Sequence, residues 1–219
     1  MEGKILIEHL RLSCGGRILC RDVSFGISAG ECLLLAGANG SGKTTLLRNL
    51  ARTAGPMRWQ YIPAGIRKVK GFSTEAFVRS GCFRESDWAG KLNPSAEKRM
   101  EEALRLLQLQ EKRTQDISTL SDGEFQKACI AVGLALRADV LLLDEPTAYL
   151  DVNQRIAVLE SLRTAARESG SAVIFSSHDL PDALRAADRV LAFTPDGRFL
   201  ESDTENRTDI LRTAFPACL

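Results

Sequence analysis

The run Gly37-Ala38-Asn39-Gly40-Ser41-Gly42-Lys43-Thr44-Thr45 constrains the fold more than any other stretch of the chain. It fits G-x-x-x-x-G-K-[ST] and stands between a short apolar run, Cys32 to Ala36, and a helical pattern from Thr44 to Ala51. Chemistry requires that context: glycines let the backbone wrap phosphate oxygens, and the N–H groups opening a helix supply donors and the positive end of a dipole. Lys43 would neutralise the outer phosphates of a nucleotide, and the Thr44 hydroxyl would ligate Mg²⁺. A loop of this kind needs a buried strand behind it and a helix after it, so the rest of the chain must supply a sheet covered on both faces.

The remaining pattern does so. Val140 to Leu143 and Ala172 to Ser176 are short and continuously apolar, as doubly covered strands are, and helical stretches at Glu124 to Arg137 and Gln154 to Glu168 alternate with them. This order implies a parallel sheet wrapped by helices. Lys4 to Leu12 and Cys20 to Ile27 alternate apolar and polar residues around a turn at Gly15 and Gly16, predicting a β-hairpin at one sheet edge. Residues Ser73 to Gln115 hold no strong strand and read as an inserted helical lobe, with Ser95 as N-cap of a helix over Ala96 to Leu109. Thr204 to Phe215 reads as a weak amphipathic helix.

The second apolar run ends in Asp144-Glu145. A strand ending in Asp presents a carboxylate beside the phosphate loop, where it can hold Mg²⁺, and Glu145 is then placed to activate a water. Ser121 to Glu124 fits a Ser-x-x-Glu capping box, whose exposed N–H groups cap a helix and also suit an anion.

Composition narrows the setting. A chain of 219 residues, 44% apolar, can bury one substantial core, and a formal net charge of +1 gives no global pull toward nucleic acid or an anionic membrane. No apolar run approaches the roughly 20 residues needed to cross a bilayer. Met1 to Leu10 lacks the continuous apolar stretch of an export signal, which points to the cytosol. The six cysteines, Cys14, Cys20, Cys32, Cys82, Cys129 and Cys218, include no Cys-x-x-Cys pair and read as reduced structural thiols.

Taken with Leu120-Ser121-Asp122-Gly123-Glu124-Phe125-Gln126, Asp144-Glu145-Pro146-Thr147-Ala148-Tyr149-Leu150-Asp151 and Ser177-His178-Asp179, the phosphate loop resembles, in order and spacing, the motif set of ATP-binding cassette (ABC) ATPases over about Lys4 to Leu200. The resemblance implies an α/β P-loop NTPase core with a mainly parallel sheet, an N-terminal antiparallel β-lobe and a helical subdomain at 73–115, within one domain spanning 1–219. It implies ATP and Mg²⁺ as ligands, Lys43, Glu145 and His178 as catalytic residues, and Thr44 and Asp144 as metal ligands. Nucleotide would be held by Gly37 through Thr45, and across a homodimer by Ser121, Gly123 and Asp151. His178, one of two histidines, would contact the γ-phosphate.

Four departures stand out. Cys14 occupies the place of an aromatic residue that stacks on adenine; Tyr61-Ile62-Pro63-Ala64 puts Ala64 where the family has Gln, with Gln60 a poor substitute by strand alternation; Leu50 to Tyr61 is short, trimming the β-lobe; and Asp122 replaces the first glycine of the signature. A carboxylate there opposes a γ-phosphate unless it points away. The single compact cassette implies transport. Gly71 to Gly81, Trp88 to Leu92 and the following helix resemble the helical lobe of iron–siderophore, haem or cobalamin importer ATPases, whose partners are membrane permease subunits and, through them, an extracytoplasmic binding protein. This places the chain at the inner face of the cell membrane, with no nucleic-acid partner. An exporter ATPase and a non-transport dimerisation switch are the other two readings.

Overall fold

The structure is a computed structural model that describes residues 5–52, 57–203 and 205–215. Lys4, Thr204 and Cys218, which figure in the sequence reading, lie outside the described residues. The chain opens with β1 (Ile5–Cys14) and β2 (Arg17–Ile27), paired antiparallel. Gly15 and Gly16 turn between them with φ of 56° and 80°, the doubly positive geometry of a tight hairpin.

The hairpin forms its own two-stranded sheet and does not sit at the edge of the main one, contrary to the sequence expectation. Side chains occupy the place of a strand ladder at Gly26: its N–H donates to Glu201, and its carbonyl accepts from Arg189. Leu12, Val23, Phe25 and Ile27 are buried and join the core beneath.

The main sheet has six strands: β3 (Cys32–Ala36), β4 (Trp59–Ile62), β5 (Val140–Leu143), β6 (Ala172–Ser176), β7 (Arg189–Phe193) and β8 (Phe199–Glu201), in the order β4-β5-β6-β3-β7-β8. All neighbours are parallel except β7 and β8. Every residue of β3, β5 and β6 is buried, as their unbroken apolar composition required. Strands β7 and β8 were not anticipated, and β4 entered the sequence reading only as the alternation around Gln60.

Seven helices accompany the sheet among the described residues: α1 (Lys43–Leu50), α2 (Thr74–Arg79), α3 (Pro94–Leu106), α4 (Asp122–Ala135), α5 (Val152–Ser169), α6 (Leu180–Ala186) and α7 (Arg207–Ala214). Asn93, not Ser95, caps α3 by accepting the Ala96 N–H at 2.8 Å. The reason is Pro94, which has no N–H to satisfy and a fixed φ suited to the first helical position, so the cap falls on the residue before it, two positions ahead of Ser95. Ser95 instead accepts from Arg99. The helix also stops at Leu106, short of Leu109, because Gln108 turns left-handed at φ 58°.

α4 packs against α2 and α3 and also against α5. Phe77 and Phe125 rings lie 5.8 Å apart, and Arg99 donates to the Ala135 carbonyl at the end of α4. α5 is opened by Asp151, whose carboxylate accepts the Gln154 N–H, and closed by Gly170 at φ 74°. Among the described residues no helix is long and apolar enough to cross a membrane. The described cysteines are free thiols; Cys20, Cys32, Cys82 and Cys129 are buried and Cys14 is exposed.

Candidate functional site

Strand order sets the site. β3 lies between β6 and β7, and β5 lies beyond β6, so the loops leaving β3, β5 and β6 meet at one end of the sheet, where open parallel sheets bind ligands. These loops carry the phosphate loop, Asp144-Glu145 and Ser177-His178. They open on a cleft of about 390 Å³, lined by Cys14, Leu19, Asn39, Gly40, Gly42, Lys43, Thr44, Thr45, Ala64, Asp144, Glu145 and His178.

The loop is built to be tight. A methyl group on Gly37 would lie 2.5 Å from Ser41 Oγ, so only glycine lets the chain fold back there. Ser41 Oγ itself is buried without a hydrogen-bond partner. Lys43 is buried and bends back over the loop, donating from Nζ to the carbonyls of Gly37 at 2.7 Å and Ala38 at 3.3 Å. Burial pushes its ammonium below the usual lysine range, against the pull of Glu145 and Asp144. The hairpin supports the loop from outside through Leu12 and Leu19, which come up against Gly42.

Asp144 is the hub. Its Oδ2 accepts from Thr44 Oγ1 at 2.8 Å and from the Tyr61 hydroxyl at 3.0 Å, and its Oδ1 accepts from Ser176 Oγ at 3.0 Å. Ser176 also accepts the Glu145 N–H at 2.9 Å. One buried hydroxyl thus fixes both acids and holds Glu145 in a left-handed backbone conformation, φ 49°, that non-glycine residues seldom adopt.

Glu145 Oε1 is buried and lies 3.0 Å from His178 Nε2, at ion-pair distance but without hydrogen-bond alignment. Burial raises the Glu145 carboxyl above its ordinary range, opposed first by His178 and then by Lys43. A group in that state is suited to take up a proton.

Ser121, Gly123 and Asp151 do not line this cleft. Ser121 and Glu124 form the capping box expected of them, bonding reciprocally at 3.2 and 2.9 Å, and Gly123 is buried against Gln154. Gln60 stays out of the site as strand alternation implied, with its amide donating to the Tyr61 carbonyl. Cys14 and Ala64, the latter in the loop after β4, both stand in the cleft wall. Asp122 does not project free: Lys68 holds its carboxylate at 2.7 Å.

Sequence reading missed Ser176 and Tyr61. A serine ending an apolar strand reads as an ordinary strand residue; only the register of β5 against β6 shows that it faces Asp144. Removing its hydroxyl leaves the Glu145 N–H without its acceptor. Ser176→Ala should lower the turnover number by about 10–100-fold, as losing a group that orients a catalytic ligand does. Steady-state kinetics check this, with a KM close to the parent's as the accompanying result.

The residues fit a Mg²⁺-nucleotide. Thr44 and Asp144 bring two hard oxygen donors together, the orphaned Ser41 hydroxyl lies in the loop that would surround phosphate oxygens, and the glycine cradle leaves space for them.

Comparison with known proteins agrees. A family model described as "ABC transporter" matches residues 20–148. The chain is 29% identical to the petrobactin import ATP-binding protein FpuD of Bacillus anthracis, over 98% of this chain and 87% of that one. It is 36% identical to the sulfate/thiosulfate import ATP-binding protein CysA of Caulobacter vibrioides, over 96% of this chain and 68% of that one. A solved inward-facing structure of an ABC transporter described as of metal-chelate type superposes with a TM-score of 0.76 at 24% identity, covering 90% of this chain and 82% of the other. The chain therefore belongs to the ABC transporter family, as an ATP-binding component that couples ATP hydrolysis to transport.

Proposed function

We propose that this chain is the ATPase of an importer for a metal chelate of the iron–siderophore, haem or cobalamin kind, working as a homodimer on two membrane permease subunits at the inner face of the membrane. The observation that carries the ATPase chemistry is the convergence of Lys43, Thr44, Asp144, Glu145 and His178 on one cleft. Import is supported by the relatives' names, and the metal-chelate class by relatives named for siderophore transport and iron(3+)-hydroxamate import. Ile66, Val69 and Phe72, exposed on the segment from β4 to α2, with Phe83 and Trp88 on the helical run at 73–115, offer the apolar surface a permease subunit needs. We take 73–115 as the helical subdomain of a single domain spanning 1–219.

In this reading the amides of Gly37, Ala38, Asn39, Gly40, Ser41, Gly42, Lys43, Thr44 and Thr45 surround the phosphates, and Lys43 adds a positive charge. Thr44 and Asp144 would hold Mg²⁺, which would supply charge offsetting that of the outer phosphates. Glu145 accepts a proton from the attacking water, and His178, beside it, fixes the water's position against the γ-phosphate. Ser121 and Gly123 of a second copy, with Asp151 at the contact, complete the site from across the dimer. Their absence from the lining of their own chain's cleft supports such sharing.

Phosphate release should rise faster than linearly with protein concentration, because two copies build one site. Strict proportionality down to nanomolar protein would sink the dimer. Co-expression with the permease subunits of a metal-chelate importer should give a stable membrane complex whose turnover responds to the loaded binding protein. Failure to assemble with any such permease would sink the importer assignment.

A further inference from the structure

Residues 63–73 run from the end of β4 to the start of α2, and they connect the cleft to the first turn of α4. At one end Ala64 lines the cleft beside Thr44, Asp144 and Glu145. At the other end the Gly71 N–H donates to Asp116 at 2.8 Å, and the Phe72 carbonyl accepts from Ile117 at 2.9 Å. Midway, Lys68 Nζ donates to the Leu120 carbonyl at 2.6 Å, pairs with Asp122 Oδ1 at 2.7 Å, and stands 5.8 Å from the centre of the Phe125 ring. Lys68 is three-quarters covered, whereas two-thirds of the Asp122 side chain is open to solvent.

The second acid of that turn, Glu124, is met in the same way: Lys112 approaches its Oε1 at 3.2 Å. Both carboxylates at the start of α4 are thus offset by lysines brought from other parts of the chain. Taken as a source of stability, a pair with one partner largely open to solvent, as in Lys68–Asp122, is worth little. Its weight lies in the charge it cancels, because a carboxylate left bare at a surface that must meet a phosphate is a like-charge contact, and such contacts are costly.

We propose that Lys68 is a positioning residue for ATP-driven closure: it neutralises Asp122 and ties the first turn of α4 to the segment leading from the cleft, and the chain accepts a carboxylate at position 122 because Lys68 is there. This rests on the reading that two copies close over ATP with that turn facing the other copy's γ-phosphate. Lys68 itself touches no reacting atom. Its contact with Leu120 and Phe125 fixes where the ammonium stands, so arginine should substitute for it and a neutral residue should not.

The test uses the full chain carrying Glu145→Gln, so that closure is read without hydrolysis, and follows ATP-dependent dimerisation by sedimentation. Adding Lys68→Ala should raise the ATP concentration needed for half-dimerisation by about tenfold or more. Lys68→Arg should keep it within about threefold of the parent, and Lys68→Ala combined with Asp122→Gly should bring it back to a similar range. ADP affinity, which involves one copy's own cleft, and the thermal midpoint should stay at parental values throughout. Dimerisation of Lys68→Ala at parental ATP would overturn the proposal. So would a double variant as impaired as the single one, since charge cancellation would then not be the role. If the Glu145→Gln parent itself fails to dimerise at any ATP concentration, the two-copy reading falls and this proposal falls with it, a result separable from the others because it appears before Lys68 is altered.

Discussion

Glu145→Gln should all but abolish phosphate release while ATP still binds. Glutamine keeps the size of the side chain, and the backbone at this position is held by the Glu145 N–H to Ser176 bond, which the substitution leaves in place. What disappears, among the described residues, is the one carboxylate of the cleft that is free of hydroxyl donors and beside His178, with its Oε1 buried. Removing a general base costs about 10²–10⁴-fold in rate. Asp144 cannot take over, since its two oxygens accept from three hydroxyls. The same variant should accumulate as an ATP-bound dimer, because closure no longer ends in hydrolysis. Turnover within tenfold of the parent would show that another group activates the water.

Lys43→Ala should act one step earlier, on binding. The ammonium is the charged group of the phosphate loop, and the loop's own carbonyls at Gly37 and Ala38 aim it. Its loss removes the charge and also frees those carbonyls, so the loop loses an internal tie as well. ATP affinity should fall by about a hundredfold or more, the scale for truncating one partner of a desolvated charge pair. Equilibrium binding with a fluorescent ATP analogue measures this directly. Parental affinity with lost turnover would move Lys43 from binding to the transition state alone. The two variants are thus separated by a single observable: Glu145→Gln binds ATP and stalls, and Lys43→Ala does not hold it.

What the sequence displayed and what it concealed divide along a physical line. The phosphate loop, Asp144-Glu145 and the Ser121 capping box are local: each function is carried by neighbours in sequence, within elements whose apolar periodicity is unbroken. β3, β5 and β6 were legible because burial on both faces forces continuous apolar runs. β4 was legible only as the alternation around Gln60, since of Trp59, Gln60, Tyr61 and Ile62 only Ile62 is buried and the strand lies at a sheet edge. The hairpin was legible as a hairpin, but its separation from the main sheet depends on Arg189 and Glu201, far along the chain. Ser176 and Tyr61 acquire meaning only when parallel register brings them to Asp144. Asp122 is the sharpest case. Sequence marked it as a charge in the wrong place, and only the fold shows Lys68 against it.

The distribution of thiols has a practical consequence. Four described cysteines are buried, and burial holds Cys32 and Cys129 in the unreactive protonated form, the latter with a pKa pushed up to about 12. Cys14 alone among the described cysteines faces solvent, and it does so in the wall of the nucleotide cleft. The position that lost an aromatic platform therefore gained a chemical handle. With Cys218 replaced by serine, a maleimide dye would attach at one address, where an arriving nucleotide alters its surroundings, and the cassette would report its own occupancy.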